Sequence, residues 1–594
     1  MPIENKLLAY NRFLLLVAGL GGLLYGVDVG IIGGALPYLE ATSGLNPGQL
    51  SVIVAAVLLG SVISTLFAGM LADFFGRKPL MILSGLTFVV SIPVIALSHG
   101  YGPLFLGRLL QGISGGVIGV VVPLYLAECL SASTRGKGTG IFQWLLTLGI
   151  LAAALIGIYF SYRVAAVTAV SDAATILNFK DHAWRSIFWV SLPPGIVFVI
   201  GAFLVSESPR WLFRRGHTDA ARTALLRSRT TAEADLELHE MHETLVAEKN
   251  QGVAGAKVKE SLLHRKYVIP FLLACVILFC NTATGINSII GYNTNILLQS
   301  GLSDVQAHWG YVIFTLFNFV MTIGGVLLVD RKGRKFLLTV GTIGIILSLS
   351  TTALLFRNFE KVRLDSHSIL QSQVADQTLS LRFDSAEASA LMSSVHYSGN
   401  AINPARASLT IVYSFGDFSC ATNVARSDDP ANPAIKIARA NCVPNNKVEA
   451  FFKNPFANVD AARTAPLSIE KALITPVPDQ NNGMLVAISL YVFMAFYAIG
   501  PGVCVWLALS ELMPTRIRSN GMSVALVINQ VVSTTLAAIF LPVVSQYGYS
   551  TMFLMFAGFT VVYFITAAFF LPETKGKTLE EIEEYFERPK STAA

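Results

Sequence analysis

Long apolar segments alternate with short polar ones along most of the chain. Each apolar run has about 20 residues, enough for a helix to cross the hydrocarbon core of a bilayer. The pattern predicts an all-α membrane protein with twelve transmembrane helices. The runs lie near residues 11–36, 50–72, 79–99, 102–129, 138–163, 184–205, 268–299, 306–329, 335–355, 483–510, 518–543 and 550–571.

Two longer polar segments interrupt this pattern. Residues 210–266 mix Leu and Ala with Glu, Lys and Arg, which predicts short amphipathic helices or, alternatively, a solvated linker. The second segment separates the ninth and tenth runs. The predicted parts are a six-helix bundle (1–209), a cytoplasmic linker (210–266), a second bundle (267–356 and 483–572), an extracytoplasmic insertion (357–482) and a cytoplasmic tail (573–594).

The charge distribution predicts the orientation of the chain. Only 13% of the residues are charged, about half of what a soluble protein carries. Lys and Arg concentrate in short loops such as Arg77-Lys78 and 331–335, whereas the opposite loop 40–49 has neither. The positive-inside rule therefore predicts a multi-pass protein of the inner or plasma membrane with both termini in the cytoplasm. The net charge of +6 follows from this bias and does not indicate a nucleic-acid partner.

The insertion 357–482 has two possible structures. Residues 378–383 alternate apolar and polar positions and 409–415 are rich in β-formers, which favours a small β-containing domain. Asp, Asn, Pro and Ala dominate 427–481, which favours a partly disordered loop instead. Cys420 and Cys442 both fall in this segment, where oxidation is permitted. The sequence leaves two possibilities open: a disulfide between them, or two free thiols.

Three charged motifs occur twice, in the same order. Asp73-x-x-Gly-Arg-Lys returns at Asp330, Glu128 seven residues before Arg135 returns as Glu511 before Arg518, and Glu207 returns as Glu573. A membrane protein repeated in this way is typically built from two bundles that meet at a central cavity.

Five motifs together resemble the sugar porter family of the major facilitator superfamily. They are Gly69-x-x-Ala-Asp-x-x-Gly-Arg-Lys78, Pro123-x-Tyr-x-Ala-Glu128, Glu207-Ser-Pro-Arg-Trp211, Gly285-Ile-Asn287 and Pro572-Glu-Thr-Lys-Gly576. The resemblance covers about 1–356 and 483–585. It implies the major facilitator fold, with two six-helix bundles that rock around a site near the bilayer centre.

The resemblance further implies a gate of charged residues on the cytoplasmic side. We expect these ion pairs to form when the halves approach there and to separate when that side opens. Anchoring of the topology by Arg and Lys alone is the alternative. The gate residues are Asp73, Arg77, Glu128, Arg135, Glu207 and Arg210 in the first half, with Asp330, Arg334, Glu511, Arg518 and Glu573 in the second.

Asp28 is an acid in the middle of the first apolar run. Such a residue costs roughly 2.5–3.5 kcal/mol at the bilayer centre on insertion scales, so it needs a partner or a function. The resemblance places Arg108 beside it and implies that the pair couples transport to protons. A static buried ion pair is the alternative.

Amide side chains inside the apolar runs predict a sugar site, because amides both donate to and accept from hydroxyl groups. The resemblance assigns substrate contacts to several of them, although Asn281-Thr282 and Gly291 depart from the family pattern. That departure leaves open a different monosaccharide or a polyol. The predicted site comprises Gln143, Asn281, Asn287, Tyr292, Asn318, Trp506, Asn529 and Gln530.

The resulting hypothesis is a secondary transporter that imports a monosaccharide or polyol by proton symport and functions as a monomer. A proton-independent facilitator is the first alternative, and a sugar sensor that does not transport is the second. The sequence shows no nucleotide-binding loop, metal-ligand spacing or nucleophile–base pair, so we expect neither an enzyme nor a cofactor.

Overall fold

Twelve helices are long and apolar enough to cross a membrane in the part of the chain that the structure, a computed structural model, describes. Those residues are 3–130, 132–254, 264–395, 402–445, 449–450, 453–514, 517–575, 577 and 579–587. The twelve predicted spans are thereby confirmed. An even number of spans places both termini on one face, here called the terminal face. The segment between spans 9 and 10 lies on the other, the insertion face.

The first half contains spans 1 to 6, and the sixth is interrupted near Ser191. A reciprocal cap starts span 2, where the Asn46 side chain accepts from the Gln49 backbone and the Gln49 side chain accepts from the Asn46 backbone. The helices are α1 (Ile3–Thr42), α2 (Pro47–Phe75), α3 (Arg77–Ala96), α4 (Tyr101–Cys129), α5 (Ala132–Thr168), and α6 (Ala173–Trp189) with α7 (Leu192–Leu204) as the two parts of span 6.

Three short helices connect the halves: α8 (Pro209–Arg214), α9 (Thr218–Leu226) and α10 (Thr231–Ala254). Arg229, in the turn between α9 and α10, attaches this linker to the first half. This guanidinium donates to the Cys129 carbonyl (2.8 Å) and pairs with Glu237. The linker therefore caps the terminal face of the first half.

Spans 7 to 12 form the second half, with breaks in spans 7 and 10. The span 7 break falls at Gly285, whose φ of +83° suits glycine and whose Cβ would collide with the Phe556 ring. The span 10 break lies between Gly500 and Pro501. The helices are α11 (Arg265–Ala283) and α12 (Ile286–Gln299) for span 7, α13 (Asp304–Lys332), α14 (Arg334–Glu360), α18 (Gln480–Ile499) and α19 (Pro501–Leu512) for span 10, α20 (Arg518–Tyr547), α21 (Tyr549–Ile565) and a final surface helix α22 (Leu579–Glu587).

The insertion folds as a small domain with its own core. Its main sheet is antiparallel in the order β1-β7-β3-β4, with β5 also pairing to β3, and β2 pairs separately with β6. Cys420 and Cys442 form a disulfide inside it. The elements are β1 (Leu364–Asp365), α15 (His367–Ser372), β2 (Leu379–Leu381), α16 (Ser385–Ser394), β3 (Ala407–Phe415), β4 (Phe418–Ala421), β5 (Ala425–Arg426), β6 (Ile435–Ile437), α17 (Val459–Thr464) and β7 (Leu467–Pro476).

The inserted domain contacts both halves of the bundle. Asn423 donates to the Leu45 carbonyl (3.0 Å), and Asn46 donates to the Asn441 carbonyl (2.6 Å), which ties the domain to the loop between spans 1 and 2. On the second half, Arg426 donates to the Leu298 carbonyl (3.3 Å). The domain therefore lies over the junction of the halves on the insertion face.

Candidate functional site

A charged cluster closes the terminal end of the first half. The buried Arg77 guanidinium pairs with Glu128 (2.8 Å) and with Asp73 (2.9 Å), and it also donates to the Ala72 carbonyl (2.8 Å). Ser208 donates to Glu128 Oε2 (2.5 Å), the same oxygen that lies 2.8 Å from Arg77 Nε. The cluster thus joins spans 2, 3 and 4 to the start of the linker.

Glu207 caps the start of span 3. Its carboxylate accepts from the backbone N–H groups of Arg77 (3.0 Å) and Lys78 (3.2 Å), where a helix N-terminus favours negative charge. Burial nevertheless raises the pKa of Glu207, because the loss of hydration outweighs the lowering effect of these hydrogen-bond donors. Gly76 has a φ of +100°, and a Cβ there would fall on the Glu207 carboxylate. This geometry explains the glycine of the repeated motif.

The described residues of the second half repeat the contacts around Glu128 and Glu207. Arg334 pairs with Glu511 (2.9 Å), and Thr574 donates to the other oxygen of Glu511 (2.5 Å). Glu573 accepts from the backbone N–H of Arg334 (3.0 Å) and stands against Gly333, whose φ is +88°. Among the described residues, the ion pairs of both networks join residues of a single half, so these pairs form here without contact between the halves. Their separation when the terminal face opens stays a prediction.

Four of the predicted gate residues are not part of the observed contacts. Arg210 is exposed on the short helix α8 and makes no ion pair within the described chain. Arg215, one turn further, reaches the Asp73 carbonyl (2.9 Å) in its place. The side chains of Arg135, Asp330 and Arg518 lie outside the described residues.

Asp28 is fully buried in span 1, with 0% exposure. Neither carboxylate oxygen has a hydrogen-bond partner among the described residues. The carboxylate lies against Gly115 of span 4, where a Cβ would come 2.7 Å from Oδ2 and 3.1 Å from the Tyr25 ring. The glycine therefore provides the space that the acid occupies.

Arg108 does not pair with Asp28, contrary to the expectation from the resemblance. The described part of the chain contains no ion pair between them. The guanidinium instead donates to Gln111 (2.6 Å) and lies over the Phe188 ring at 5.6 Å. Asp28 contacts span 4 at Gly115, about two helical turns from Arg108, which explains the separation.

Three of the predicted substrate residues lie together between spans 7, 10 and 11. Asn281 donates to the Tyr497 hydroxyl (3.4 Å), and Asn287 donates to the Ser533 hydroxyl (2.6 Å). Asn529 donates to the Leu278 carbonyl (2.9 Å). The Asn281 Oδ1 atom is buried without a partner among the described residues, so it has an unused acceptor.

The other predicted substrate residues differ in their surroundings. Gln143 is exposed, and Asn318 and Gln530 are half-buried. Tyr292 is fully buried, stacks on Phe540 at 4.3 Å and donates to the Ala537 carbonyl (2.9 Å). Its ring is therefore covered by span 11, and its hydroxyl also lies 3.2 Å from Ser51 of span 2. Tyr292 is not accessible to a substrate in this conformation, and its contact with one stays a prediction. The Trp506 side chain lies outside the described residues.

A second polar cluster, which the sequence analysis missed, joins the two halves at the insertion face. Asp304 of span 8 accepts from Tyr38 of span 1 (2.8 Å) and from Ser161 of span 5 (2.7 Å). Asn295 donates to Glu40 (2.5 Å). These bonds close the insertion face between the halves. Glu40 near the end of span 1 and the Asp304-x-x-x-His308 spacing are visible in the sequence. Neither of them indicates which residue of the other half it contacts.

A cavity of about 1040 Å³ lies beyond this cluster, under the inserted domain. Glu40 and Asp304 line its membrane side, Lys180 its flank, and Arg426 and Asp428 its cover. A chamber of this size, lined by both apolar and polar residues, has room for a hydrated sugar between the domain and this cluster.

Three kinds of comparison agree on the family. The family model of sugar (and other) transporters matches residues 14–368 and 464–586. The glucose transporter GlcP of Staphylococcus epidermidis is 26% identical over 579 residues, covering 96% of this chain and 97% of its own length. The human proton myo-inositol cotransporter is 26% identical over 596 residues, with 98% and 83% covered.

Two further matches cover different extents. The galactose-proton symporter of Escherichia coli K12 is 32% identical over 340 residues, covering 57% of this chain and 68% of its own. The inward open structure of the xylose transporter XylE from E. coli superposes with a TM-score of 0.61 at 18% identity, covering 96% of this chain and 98% of that one. The motifs, the two-bundle fold and the family match agree: the chain belongs to the sugar porter family of the major facilitator superfamily.

Proposed function

We propose that the protein imports a monosaccharide or polyol by proton symport through alternating access, with its terminal face in the cytoplasm. The family supports sugar transport, and relatives named as proton symporters of galactose and myo-inositol support the coupling. The short basic loops of the terminal face support the orientation.

The observation that carries the proposal is the environment of Asp28. A fully buried carboxylate with no hydrogen-bond donor and no ion-pair partner in contact is disfavoured in its charged form, and the Arg108 guanidinium opposes this only from a distance. We therefore expect the acid to carry a proton in this conformation. A rearrangement that brings Arg108 to Asp28 would favour the carboxylate and release that proton. Transport and protonation would then be linked through one acid that alternates between two neighbours.

The closed insertion face supports alternating access. The bonds of Asp304 and Asn295 cross from one half to the other, so they must break before a substrate can pass from that side. The terminal networks lie within single halves and can stay intact while the halves rock. The two faces are thus built for different parts of one cycle.

We infer that the substrate binds against spans 7 and 11. Asn281, Asn287 and Asn529 form one wall, where Asn281 has a free acceptor and the others can exchange their present bonds for sugar hydroxyls. Gln143, Asn318, Gln530 and Trp506 complete the site in this proposal. Tyr292 supports the wall from behind.

Purified protein in liposomes tests the proposal. An inward proton gradient should drive accumulation of a transported monosaccharide or polyol, and Asp28→Asn should allow equilibration only. Asp172→Asn is the matched control, because this carboxylate is exposed in the loop between spans 5 and 6. Accumulation by Asp28→Asn equal to that of the control would remove Asp28 from the mechanism.

A proton-independent facilitator is the second candidate, and it applies if the complete burial of Asp28 prevents this acid from exchanging its proton during transport. An acid that never exchanges its proton would act only in packing against Gly115. Uptake that is unchanged when a protonophore collapses the gradient would establish this alternative.

A further inference from the structure

His308 lies at the centre of the insertion-face cluster and is fully buried. Its Nδ1 atom is 2.9 Å from the Asp304 carbonyl oxygen, one turn earlier in span 8. Its Nε2 atom is 3.1 Å from the Gly34 carbonyl oxygen of span 1. The imidazole therefore bridges the two halves through both nitrogens.

Both neighbours of the ring are carbonyl oxygens, which only accept hydrogen bonds. A neutral imidazole has one N–H and can donate to only one of them, leaving the other nitrogen facing an acceptor. A doubly protonated ring satisfies both contacts and carries a positive charge. This geometry matches the imidazolium form.

The surrounding groups suit that charge. The Asp304 carboxylate lies 3.5 Å from Nδ1 and is held by Tyr38 and Ser161. The Tyr38 ring stacks on the imidazole at 5.5 Å, and span 5 approaches the ring edge with the uncharged Gly157. The other charged residues that line the outer cavity with Asp304 are Glu40, Lys180, Arg426, Asp428, Asp429 and Lys436. The ion pair is thus enclosed by both halves.

We propose that His308 and Asp304 form a second proton-binding site, and that closure of the insertion face takes up a proton there. The inference rests on the alternating access proposed above but not on Asp28. When the halves separate, Gly34 leaves His308, and Tyr38 and Ser161 leave Asp304. The imidazolium then loses an acceptor, and its counter-ion loses the donors that hold it in place.

The proton has a route to one side only. His308 is 0% exposed, whereas the Asp304 side chain is 32% exposed and lines the outer cavity. A proton taken up from that cavity on closure would return to it on opening. The site therefore regulates the gate rather than carrying a proton across. Because closure takes up a proton, low pH on the insertion side favours the closed gate, and rising pH opens it.

Hydrogen–deuterium exchange of the full-length protein in lipid nanodiscs tests this inference. Exchange in the outer ends of spans 1 and 8 (30–42 and 304–312) would be followed from pH 5.5 to 8, after correction for intrinsic exchange rates. In the wild type, the corrected exchange should rise several-fold between these two pH values, because loss of the proton removes contacts that close this face. His308→Gln, which never carries a charge, should flatten this dependence.

Two matched variants separate this site from the rest of the protein. His182→Gln changes an exposed histidine of span 6 whose ring contacts the carbonyl of Asn178, and it should keep the wild-type profile. Asp28→Asn should also keep it, because the outer site does not depend on that acid. Asp304→Asn retains the histidine but removes its counter-charge. In this variant the transition, that is, the rise in exchange with pH, should therefore occur at lower pH.

The outcomes are distinguishable. A profile lost in Asp28→Asn and retained in His308→Gln would overturn the inference and leave the proposed symport intact. A profile lost in His308→Gln and retained in Asp28→Asn supports the outer site, even if liposome assays show no proton coupling. If His308→Gln fails to fold, Asp304→Asn decides: an unshifted transition in that variant overturns the inference.

Discussion

The charged and polar contacts on the two faces of the bundle connect different parts of the molecule. On the terminal face, Arg77 and Arg334 each pair with a glutamate of their own half. On the insertion face, Asp304 and His308 connect the two halves, and this cluster has no repeated copy among the described residues. Contacts within a half stiffen that half, whereas contacts between the halves must break in the proposed transport cycle.

The strength of the contacts follows the same division. Arg77 is 3% exposed and pairs with a carboxylate that is 10% exposed, and removing one member of such a pair is strongly destabilising. Most of the insertion-face bonds are single hydrogen bonds to a carboxylate, each with a net contribution of roughly 1.5–3 kcal/mol. The protein therefore has strong contacts where it must stay folded and weak ones where it must open.

The largest effect is expected from Arg77→Ala. It leaves Glu128 buried without its guanidinium and should lower the free energy of unfolding by roughly 3–5 kcal/mol. Arg334→Ala is the internal comparison. There the side chains are more exposed (13% and 25%), so a loss of about 1–2 kcal/mol is expected. Thermal unfolding in detergent measures both.

The ranking of these two variants tests the comparison. If both lower the melting temperature equally, burial does not distinguish the two networks. If neither lowers it, these networks do not stabilise the individual halves, and the difference in strength between the two faces is lost.

The terminal networks could be predicted from the sequence because they repeat. Two copies of Asp-x-x-Gly-Arg-Lys identified Arg77 and Arg334 without a structure, and the twelve spans followed from length and hydropathy. The insertion-face cluster could not be found in this way. Tyr38 and Asp304 are 266 residues apart and occur in no motif, so only the packing of span 1 against span 8 brings them together.

For the candidate site residues, too, the sequence indicates which residues are buried but not which helices they face. Burial and residue type identified Asp28, but the helix rotation that places it on Gly115 rather than beside Arg108 is a tertiary property. Asn281, Asn287 and Asn529 were predicted as amides on interior helices, and they do lie together. Tyr292 had the same signal but faces span 11, because periodicity does not say which neighbour a buried face meets.

The disulfide of the inserted domain gives the next largest effect. Cys420 and Cys442 close a loop with a sequence separation of 22, and such a loop contributes about 3 kcal/mol in the chain-entropy account. Cys420→Ser with Cys442→Ser should therefore loosen Asn423 and Asn441, which flank the bridge and hold the domain to the first half. Faster amide exchange in 402–445 is the expected result.

A free cysteine provides the control for that change. Cys275→Ser alters a half-buried thiol in span 7 and should leave exchange in the inserted domain unchanged. If the double variant exchanges no faster than the control, the domain is held by its sheet alone, and its contacts with the first half do not depend on the bridge.

Tyr38→Phe should have a smaller effect, restricted to the insertion face. The substitution keeps the ring on His308 but removes the bond to Asp304, a hydrogen bond to a charged group worth roughly 1.5–3 kcal/mol. The population should shift toward the open insertion face, seen as faster exchange in 304–312 with little change in thermal stability. Tyr159→Phe, on an exposed ring of span 5, is the control.

The smallest effect is expected at the ion pair between Lys180 of span 6 and Asp429 of the inserted domain. The charges are 3.9 Å apart, and the side chains are 17% and 28% exposed, so the pair is worth about 0–1 kcal/mol and weakens with salt. Lys180→Gln should slightly increase opening at low ionic strength and match the wild type at high ionic strength. A large effect that persists in salt would mean that the inserted domain, rather than the contacts between spans, holds this face closed, and the contrast between the two faces would then depend on the insertion.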